Sequence, residues 1–334
     1  MNRLILLGGS AGGLDAALTV VARLDADLPA AVFVVLHLGD GPGQSLLDKL
    51  AAAGPFPAAF AADGDPVETG RIYVAPPDHH TLLHDHRIRL SRGPRVNRAR
   101  PAIDLAFRSA AVAYREKTIG VVLSGMLDDG AAGLLAIARC GGRAIVQDPD
   151  EAPHASMPES ALASVKTARR LPAASIGMLL DQLGRTPVLT EATVPPAIAL
   201  ENRFDMNGTD DLAEMDDLGS QVPMSCPECN GPLWEIEQDG LPRYRCHVGH
   251  SLTAHTLLAT QGEEIEQSLW IALRTLEEKA RMQERLVRWE REAGRGSAAG
   301  SFESRAAETR AHAERLRAVL NQLGMPERPT GRTA

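Results

Sequence analysis

Between residues 4 and 148 five short runs carry almost nothing but apolar side chains: LILLG (4–8), AVFVVLHL (31–38), RIYVAP (71–76), TIGVVLSG (118–125) and GRAIVQD (142–148). A strand with one wet face alternates apolar and polar residues, whereas a run without alternation suits a strand covered on both faces. Helix-like segments separate the runs. The pattern therefore predicts an α/β fold over residues 1–183, a mainly parallel doubly wound sheet with helices on both faces. LLHDHRIRLS (82–91) interrupts this order and reads as a hairpin. With 44% hydrophobic but only 4% aromatic residues, the core must be aliphatic.

Composition shifts after residue 183. Residues 184–222 hold several prolines, little periodicity and a run of acids (Asp210, Asp211, Glu214, Asp216, Asp217), and read as an acidic linker, either mobile or wrapped on the first domain as extended chain. Residues 223–252 form a small Cys/His unit. Beyond it, Ile265, Leu269, Leu273, Leu276, Ala280, Leu286 and Trp289 fall on one stripe among mixed charges, as in a long amphipathic helix. After the breaker GRGSAAGS a second stripe follows, Ala306, Ala313, Leu316, Leu320 and Leu323, which predicts an antiparallel helical hairpin over 253–323 used for self-association. Residues 324–334 read as a disordered tail.

The first apolar run ends in Gly8-Gly9-Ser10-Ala11-Gly12-Gly13. A turn from the carboxyl end of a buried strand into a helix sits in the crevice where open α/β sheets bind ligands. The dinucleotide fingerprint G-x-G-x-x-G is broken here, because Ser10 stands where a glycine must let the backbone touch a pyrophosphate; this disfavours a nucleotide-dependent oxidoreductase. Such a serine either caps the helix or acts as a nucleophile. The second run ends in His37, and the fourth leads into Met126-Leu127-Asp128-Asp129-Gly130, so a hydroxyl, an imidazole and a carboxylate arrive at one edge of the sheet. Those are the parts of a Ser-His-Asp triad, which is defined by geometry and not by order.

GGSAGG, VLHL, RPAIDLAF, VLSGMLDDGAAG, GGRAIVQDP and SMPESAL, in that order, make residues 3–183 resemble the catalytic domain of the chemotaxis protein-glutamate methylesterases, the CheB family. The resemblance implies Ser10 as nucleophile, His37 as general base and Asp129 as the acid that orients the histidine, with backbone N–H groups near Ala11 and Met126 as oxyanion donors. Asp128 departs from the neutral residue more usual in the family and leaves the acid open to a shift by one position. The resemblance further implies no cofactor for catalysis, hydrolysis of glutamate methyl esters with glutamine deamidation beside it, and, as partners, the methylated cytoplasmic helices of chemoreceptor-like proteins. Family members carry an amino-terminal receiver domain, whereas this chain begins at the catalytic strand, so phosphorylation control in cis is expected to be absent. Asp104 and Asp148 are expected to be structural, and His79, His80, His84 and His86 to be solvated rather than metal ligands.

The stretch CPECNGPLWEIEQDGLPRYRCHVGH (226–250) puts Cys226 and Cys229 on one knuckle and Cys246 with His247 and His250 on another, joined by a hairpin. These ligand types at this spacing fit a closed tetrahedral zinc site, which can fold a module too small to have a real core. His247 adjoins Cys246 and would strain the geometry, so His250 is the expected fourth ligand. Three thiolates and an imidazole leave no open position, which makes the zinc structural.

A formal net charge of -8 gives no general attraction to nucleic acid or to an anionic membrane. No run of 18 apolar residues occurs, and LILLGG is too short for a signal peptide, so the expected location is cytoplasmic. A contrasting expectation is a signalling adaptor whose esterase has decayed and whose ribbon and hairpin recruit partners.

Overall fold

The computed structural model describes residues 3–37, 44–188, 191–207, 212–238 and 240–322. The expected tail at 324–334, and Leu38, Asp210, Asp211 and Leu323, lie outside the described residues. Two units are present, Met1–Leu257 and Leu258–Ala334, divided inside a long helix.

The first part of unit one runs β1 (Arg3–Gly9), α1 (Gly13–Val21), β2 (Ala30–Leu36), α2 (Gln44–Ala53), β3 (Ala58–Phe60), β4 (Ile72–Val74), β5 (His80–His84) and β6 (Arg87–Ser91). It continues with α3 (Ile103–Tyr114), β7 (Thr118–Val122), α4 (Ala131–Arg139), β8 (Arg143–Gln147), α5 (Ser156–Ser164), β9 (Arg169–Leu171) and α6 (Ala173–Arg185). Seven strands form one parallel sheet in the order β3-β4-β2-β1-β7-β8-β9.

The unbroken apolar runs have their cause in two separate cores. Leu4 and Leu6 of β1 pack with Phe107, Leu134 and Met157 from α3, α4 and α5, while Ile5 and Leu7 pack with Val20, Leu50 and Ile176 from α1, α2 and α6. Every residue of β1 is therefore buried, whichever way it points. The helix after β1 covers one face and the helix after β7 covers the other, which opens a crevice between these two strands at their carboxyl ends. Gly8 lets α3 close in: a Cβ there would stand 2.4 Å from Ile103 Cγ2. The three-residue edge strands β3 and β9 are half-exposed segments, AAF and RRL, whose sequences carry no strand signal.

The hairpin β5–β6 begins two residues before the expected one. His84 and His86 are exposed, but His80 is fully buried, against the expectation that it is solvated. Its Nε2–H donates to Pro94 O (2.9 Å), its Nδ1 accepts the Ala102 N–H (3.2 Å), and burial pushes its pKa down. A neutral ring thus braces the loop that leads into α3.

Among its described residues the acidic segment is helical over 196–207 and 212–218 rather than a linker or an extended strap. It forms α7 (Pro196–Asn207) and α8 (Leu212–Leu218), then β10 (Ser220–Ser225), the first strand of a four-stranded antiparallel ribbon with β11 (Pro232–Gln238), β12 (Leu241–Cys246) and β13 (Ser251–Thr253). The cause is a set of buried counter-charges. Glu201 of α7 accepts two bonds from Arg243 of β12 (2.6 and 2.8 Å) and pairs with Arg108 of α3 at 2.8 Å. Asp205 accepts from Arg108 Nε (2.7 Å) and Arg245 Nη1 (2.6 Å). Burial works to raise the Glu201 pKa, but Arg108 and Arg243 outweigh it and bring the group down to about 2.

Unit two holds the part of α9 (Ala254–Glu292) from Leu258 onward and α10 (Gly296–Gln322), which pack antiparallel around Leu273, Ala313 and Leu320. Arg291 pairs with Glu303, Arg310 with Glu284 and Arg317 with Glu277, so the partners descend one helix as they climb the other. Ile265 and Trp289 are 56% and 57% exposed, contrary to the expected stripe. The packed stretch begins at Leu269 and runs through Leu273, Leu276, Ala280, Gln283, Val287 and Glu290 at alternating steps of four and three, so the seam keeps a seven-residue repeat and passes one position beyond Leu286 and Trp289. No helix among the described residues is long and apolar enough to cross a membrane.

Candidate active site and metal cluster

β1 and β2 lie in parallel register with Gly9 opposite Leu36, so Ser10 and His37 are the next residues along neighbouring strands, which run about 4.8 Å apart. The His37 N–H donates to Gly9 O at 3.2 Å. α1 begins at Gly13 with no side-chain cap, so Ser10 is not used as one. The turn is tied to its neighbour: Ser10 N–H donates to Ser124 O (3.0 Å) and Ser124 Oγ–H donates to Ala11 O (2.8 Å). Ser124 itself is held by its N–H on Gln147 Oε1 (2.8 Å) and by the His154 N–H on its Oγ (3.0 Å). Gly12 sits at φ 74, where a Cβ would come within 2.8 Å of Ser124 Oγ. The N–H groups of Ala11 and Met126 take no part in these backbone bonds, and Met126 is 59% exposed.

His37 Nε2 lies 2.8 Å from Asp129 Oδ2. An ionised carboxylate only accepts, so Nε2 carries the proton and donates it, which leaves Nδ1 as the free base. Asp129 is buried and also accepts the Ile103 N–H (2.7 Å) and Asp104 N–H (3.1 Å) from the first turn of α3, and Asn97 Nδ2–H (3.2 Å). Burial acts to raise its pKa, but the His37 bond and the helix N–H groups outweigh burial and keep it below the usual carboxylate range.

Asp104 mirrors this arrangement. Its Oδ1 accepts the N–H groups of Gly130 (2.9 Å) and Gly133 (2.6 Å) at the start of α4, and its Oδ2 accepts from Asn97 Nδ2 at 2.9 Å. Burial and the nearby Asp129 charge push its pKa up to about 7. Each of the two helices is thus capped by the acid that belongs to the other. Asp128 turns away from His37 and accepts hydroxyl bonds from Thr253 (2.5 Å) and Thr256 (2.9 Å), so Asp129 is the acid that faces the imidazole.

Asn97, Ser124 and Gln147 shape this site, and sequence reasoning did not single them out. They are polar residues in loops or at a strand end, and nothing in apolar periodicity marks them. The backbone of Asn97, at φ 48, suits the tolerance of asparagine for left-handed conformations, which is the one available hint.

In the ribbon, the donor atoms of Cys226, Cys229, Cys246 and His250 all lie within 4.8 Å of one another. The Sγ atoms of Cys229 and Cys246 are 3.7 Å apart, and Cys246 Sγ is 3.6 Å from His250 Nδ1. Four ligands at about 2.3 Å from a tetrahedral ion are about 3.8 Å from each other, so this donor set fits a closed metal site. His247 stands outside the cluster, its Nδ1 buried without a partner among the described residues.

Comparison with known proteins adds an independent line. The family profile described as CheB methylesterase matches residues 5–180, a stretch that ends before α7. A protein named protein-glutamate methylesterase/protein-glutamine glutaminase from Symbiobacterium thermophilum is 40% identical over 148 residues, 44% of this chain and 41% of that protein. A protein named as a putative enzyme of the same kind from Leptospira interrogans is 40% identical over 162 residues, 47% of this chain and 82% of the relative. The chain thus spans well under half the length of the first relative and most of the second. The crystal structure of the Thermotoga maritima CheB methylesterase catalytic domain aligns at 30% identity with a TM-score of 0.53, covering 55% of this chain and 99% of that one.

Proposed function

Since this chain belongs to the CheB methylesterase family, we propose that it hydrolyses glutamate methyl esters, with glutamine side chains as a second substrate class, on the cytoplasmic helices of chemoreceptor-like proteins. The observation that carries the reading is the 2.8 Å bond between His37 and a buried, ionised Asp129, with Ser10 on the adjacent strand end.

In this reading Ser10 Oγ attacks the ester carbonyl as its proton passes to Nδ1 of His37. Asp129 keeps the proton on Nε2 and stabilises the imidazolium that forms. The Ala11 and Met126 N–H groups receive the oxyanion, for which a donor is commonly worth about 3 kcal/mol. Collapse breaks the C–O bond, and methoxide leaves as methanol with the proton from Nδ1. Water, deprotonated by the same nitrogen, then releases the glutamate carboxylate; with glutamine the leaving group is ammonia. The Ser10 hydroxyl makes no bond among the described residues, and catalytic pairs commonly tighten only when substrate is bound. Cys226, Cys229, Cys246 and His250 would hold zinc as a closed structural ion that folds the ribbon and enters no step.

Methanol release from a methylated receptor fragment tests the reading. Ser10→Ala and His37→Ala are each expected to lower the rate by at least about 1,000-fold. A full rate in either folded variant would overturn the assignment. No release by the wild type, with the protein folded and metal-loaded, would favour the adaptor instead.

A further inference from the structure

Asn97 stands between the ribbon and the acid of the proposed triad. It is 6% exposed, in the loop before α3. Its side chain makes three bonds, both donors among them: Nδ2 donates to Asp129 Oδ1 (3.2 Å) and to Asp104 Oδ2 (2.9 Å), and Oδ1 accepts the Thr253 N–H (3.1 Å). Its partners dictate how the amide is turned, since two carboxylates need a donor and a backbone N–H needs an acceptor. The ribbon holds the backbone as well. Asn97 N–H donates to Ser251 O (2.8 Å), and Val96 forms a parallel bridge with Ser251. Ser251 and Thr253 are the two ends of β13, the strand directly after His250 of the metal cluster. The two Thr hydroxyls on Asp128 tie the same part of the ribbon to the residue just before Asp129.

We propose that Asn97 is a positioning residue through which β13 of the metal-binding ribbon sets Asp129, and through Asp129 the His37 imidazole, so that the ribbon completes the active site. The proposal rests on the triad reading above. With β13 displaced, Asn97 loses the acceptor role that fixes its amide and the backbone bond that fixes its loop. Asp129 Oδ1 then keeps only the Asp104 N–H. Asn97 is buried and touches no solvent-facing group of the crevice, so its loss acts on kcat and leaves KM nearly unchanged.

The test is proton NMR on the full, metal-loaded chain, following the downfield proton on His37 Nε2, which is identified by its absence in His37→Ala. Asn97→Gly removes the bridge while glycine keeps the left-handed backbone without strain. The expected result is that the resonance shifts or broadens in Asn97→Gly, that chelating the metal from the wild type does the same, and that chelation adds little in Asn97→Gly. With the methyl ester substrate, kcat should fall about tenfold, within the range usual for groups that orient a first ligand, and KM should stay within about twofold. Asn97→Asp is the second variant. It keeps the acceptor for Thr253 but loses the donor to Asp129, so it should perturb the resonance while circular dichroism and metal content stay unchanged. An unmoved resonance in folded, metal-loaded Asn97→Gly or Asn97→Asp, or strictly additive effects of variant and chelation, would overturn the proposal. A resonance that responds as described in a wild type that releases no methanol counts against the substrate reading and upholds the positioning role.

Discussion

The seven-stranded sheet and the seam where α7 and the ribbon meet α3 are held by opposite means. In the sheet, Leu6, Phe33 and Val121 are fully or almost fully buried among other apolar side chains, and burial contributes in proportion to area, roughly 25 cal/mol per Å². In the seam, the side chains of Arg108, Glu201, Asp205, Arg243 and Arg245 are each no more than 3% exposed. Shortening an apolar side chain loses area and leaves a void. Removing one buried charge strands its partners in a medium that cannot solvate them. The sheet can therefore absorb substitution in small steps, whereas the seam holds as a set or fails as a set.

Metal removal should separate the two regions most. The ribbon's apolar cluster is Cys226, Leu233, Cys246, Leu252 and Leu257, two of them metal-ligand candidates, and zinc supplies about 10–16 kcal/mol to comparable isolated modules. After chelation, amide exchange in β11 and β12 should rise by orders of magnitude while β1, β2 and β7 stay protected; simultaneous loss in both would mean that the two regions unfold as one.

Glu201→Ala comes next. It leaves Arg108 and Arg243 without their shared carboxylate and should cost about 3–5 kcal/mol in urea unfolding. Ile145→Val in the sheet should cost only about 0.5–1.5 kcal/mol by the same measurement. A Glu201→Ala cost within the Ile145→Val range would erase the contrast.

Acidity sharpens the comparison, because two buried acids move in opposite senses. Glu201 titrates near 2 in the folded protein, below its ordinary value of 4.5, so its contribution is present above about 4.5 and is lost as pH falls from there toward 2. Asp104 titrates near 7, above its ordinary 3.8, so the folded state holds a proton that the unfolded state releases; its contribution is full below about 3.8 and is lost as pH rises toward 7. Unfolding free energies measured from pH 3 to 8 should show Glu201→Gln flattening the acid side and Asp104→Asn flattening the stretch between pH 4 and 7. The smallest effect belongs to Arg185, whose pairs with Asp25, Asp27 and Asp181 lie at the surface: Arg185→Ala should leave the urea midpoint almost unchanged, and in high salt even that small difference should vanish.

The same contrast explains what could be read from the sequence. Runs such as LILLG and TIGVV announce strands because apolar burial leaves its mark residue by residue, and the ends of those runs bring a serine, a histidine and the Asp128-Asp129 pair to one edge, while the preference for Asp129 rests on the family resemblance. The stretch PPAIALENRFDMN has the composition of a solvated linker, since nothing local distinguishes Glu201 and Asp205 from surface acids; their partners arrive from α3 and from β12 some forty residues further on. Asn97 was invisible for the same reason, its bonds reaching to Asp129 in one direction and to Thr253 in the other. The Cys and His cluster was legible because a donor set of this kind needs particular residue types at particular spacings. The donor atom that lies with the three thiols belongs to His250.

Asp104 at the head of α3 caps α4, and Asp129 ahead of α4 caps α3, so neither helix start is complete on material from its own segment. For recombination between relatives this sets a rule of inheritance. A crossover placed between positions 104 and 129 draws the two acids from different parents and asks each to fit a helix it did not evolve with. Grafts bounded outside positions 97 and 133 carry the lock and its amide bridge together, and libraries that respect those borders should yield a far larger fraction of folded progeny.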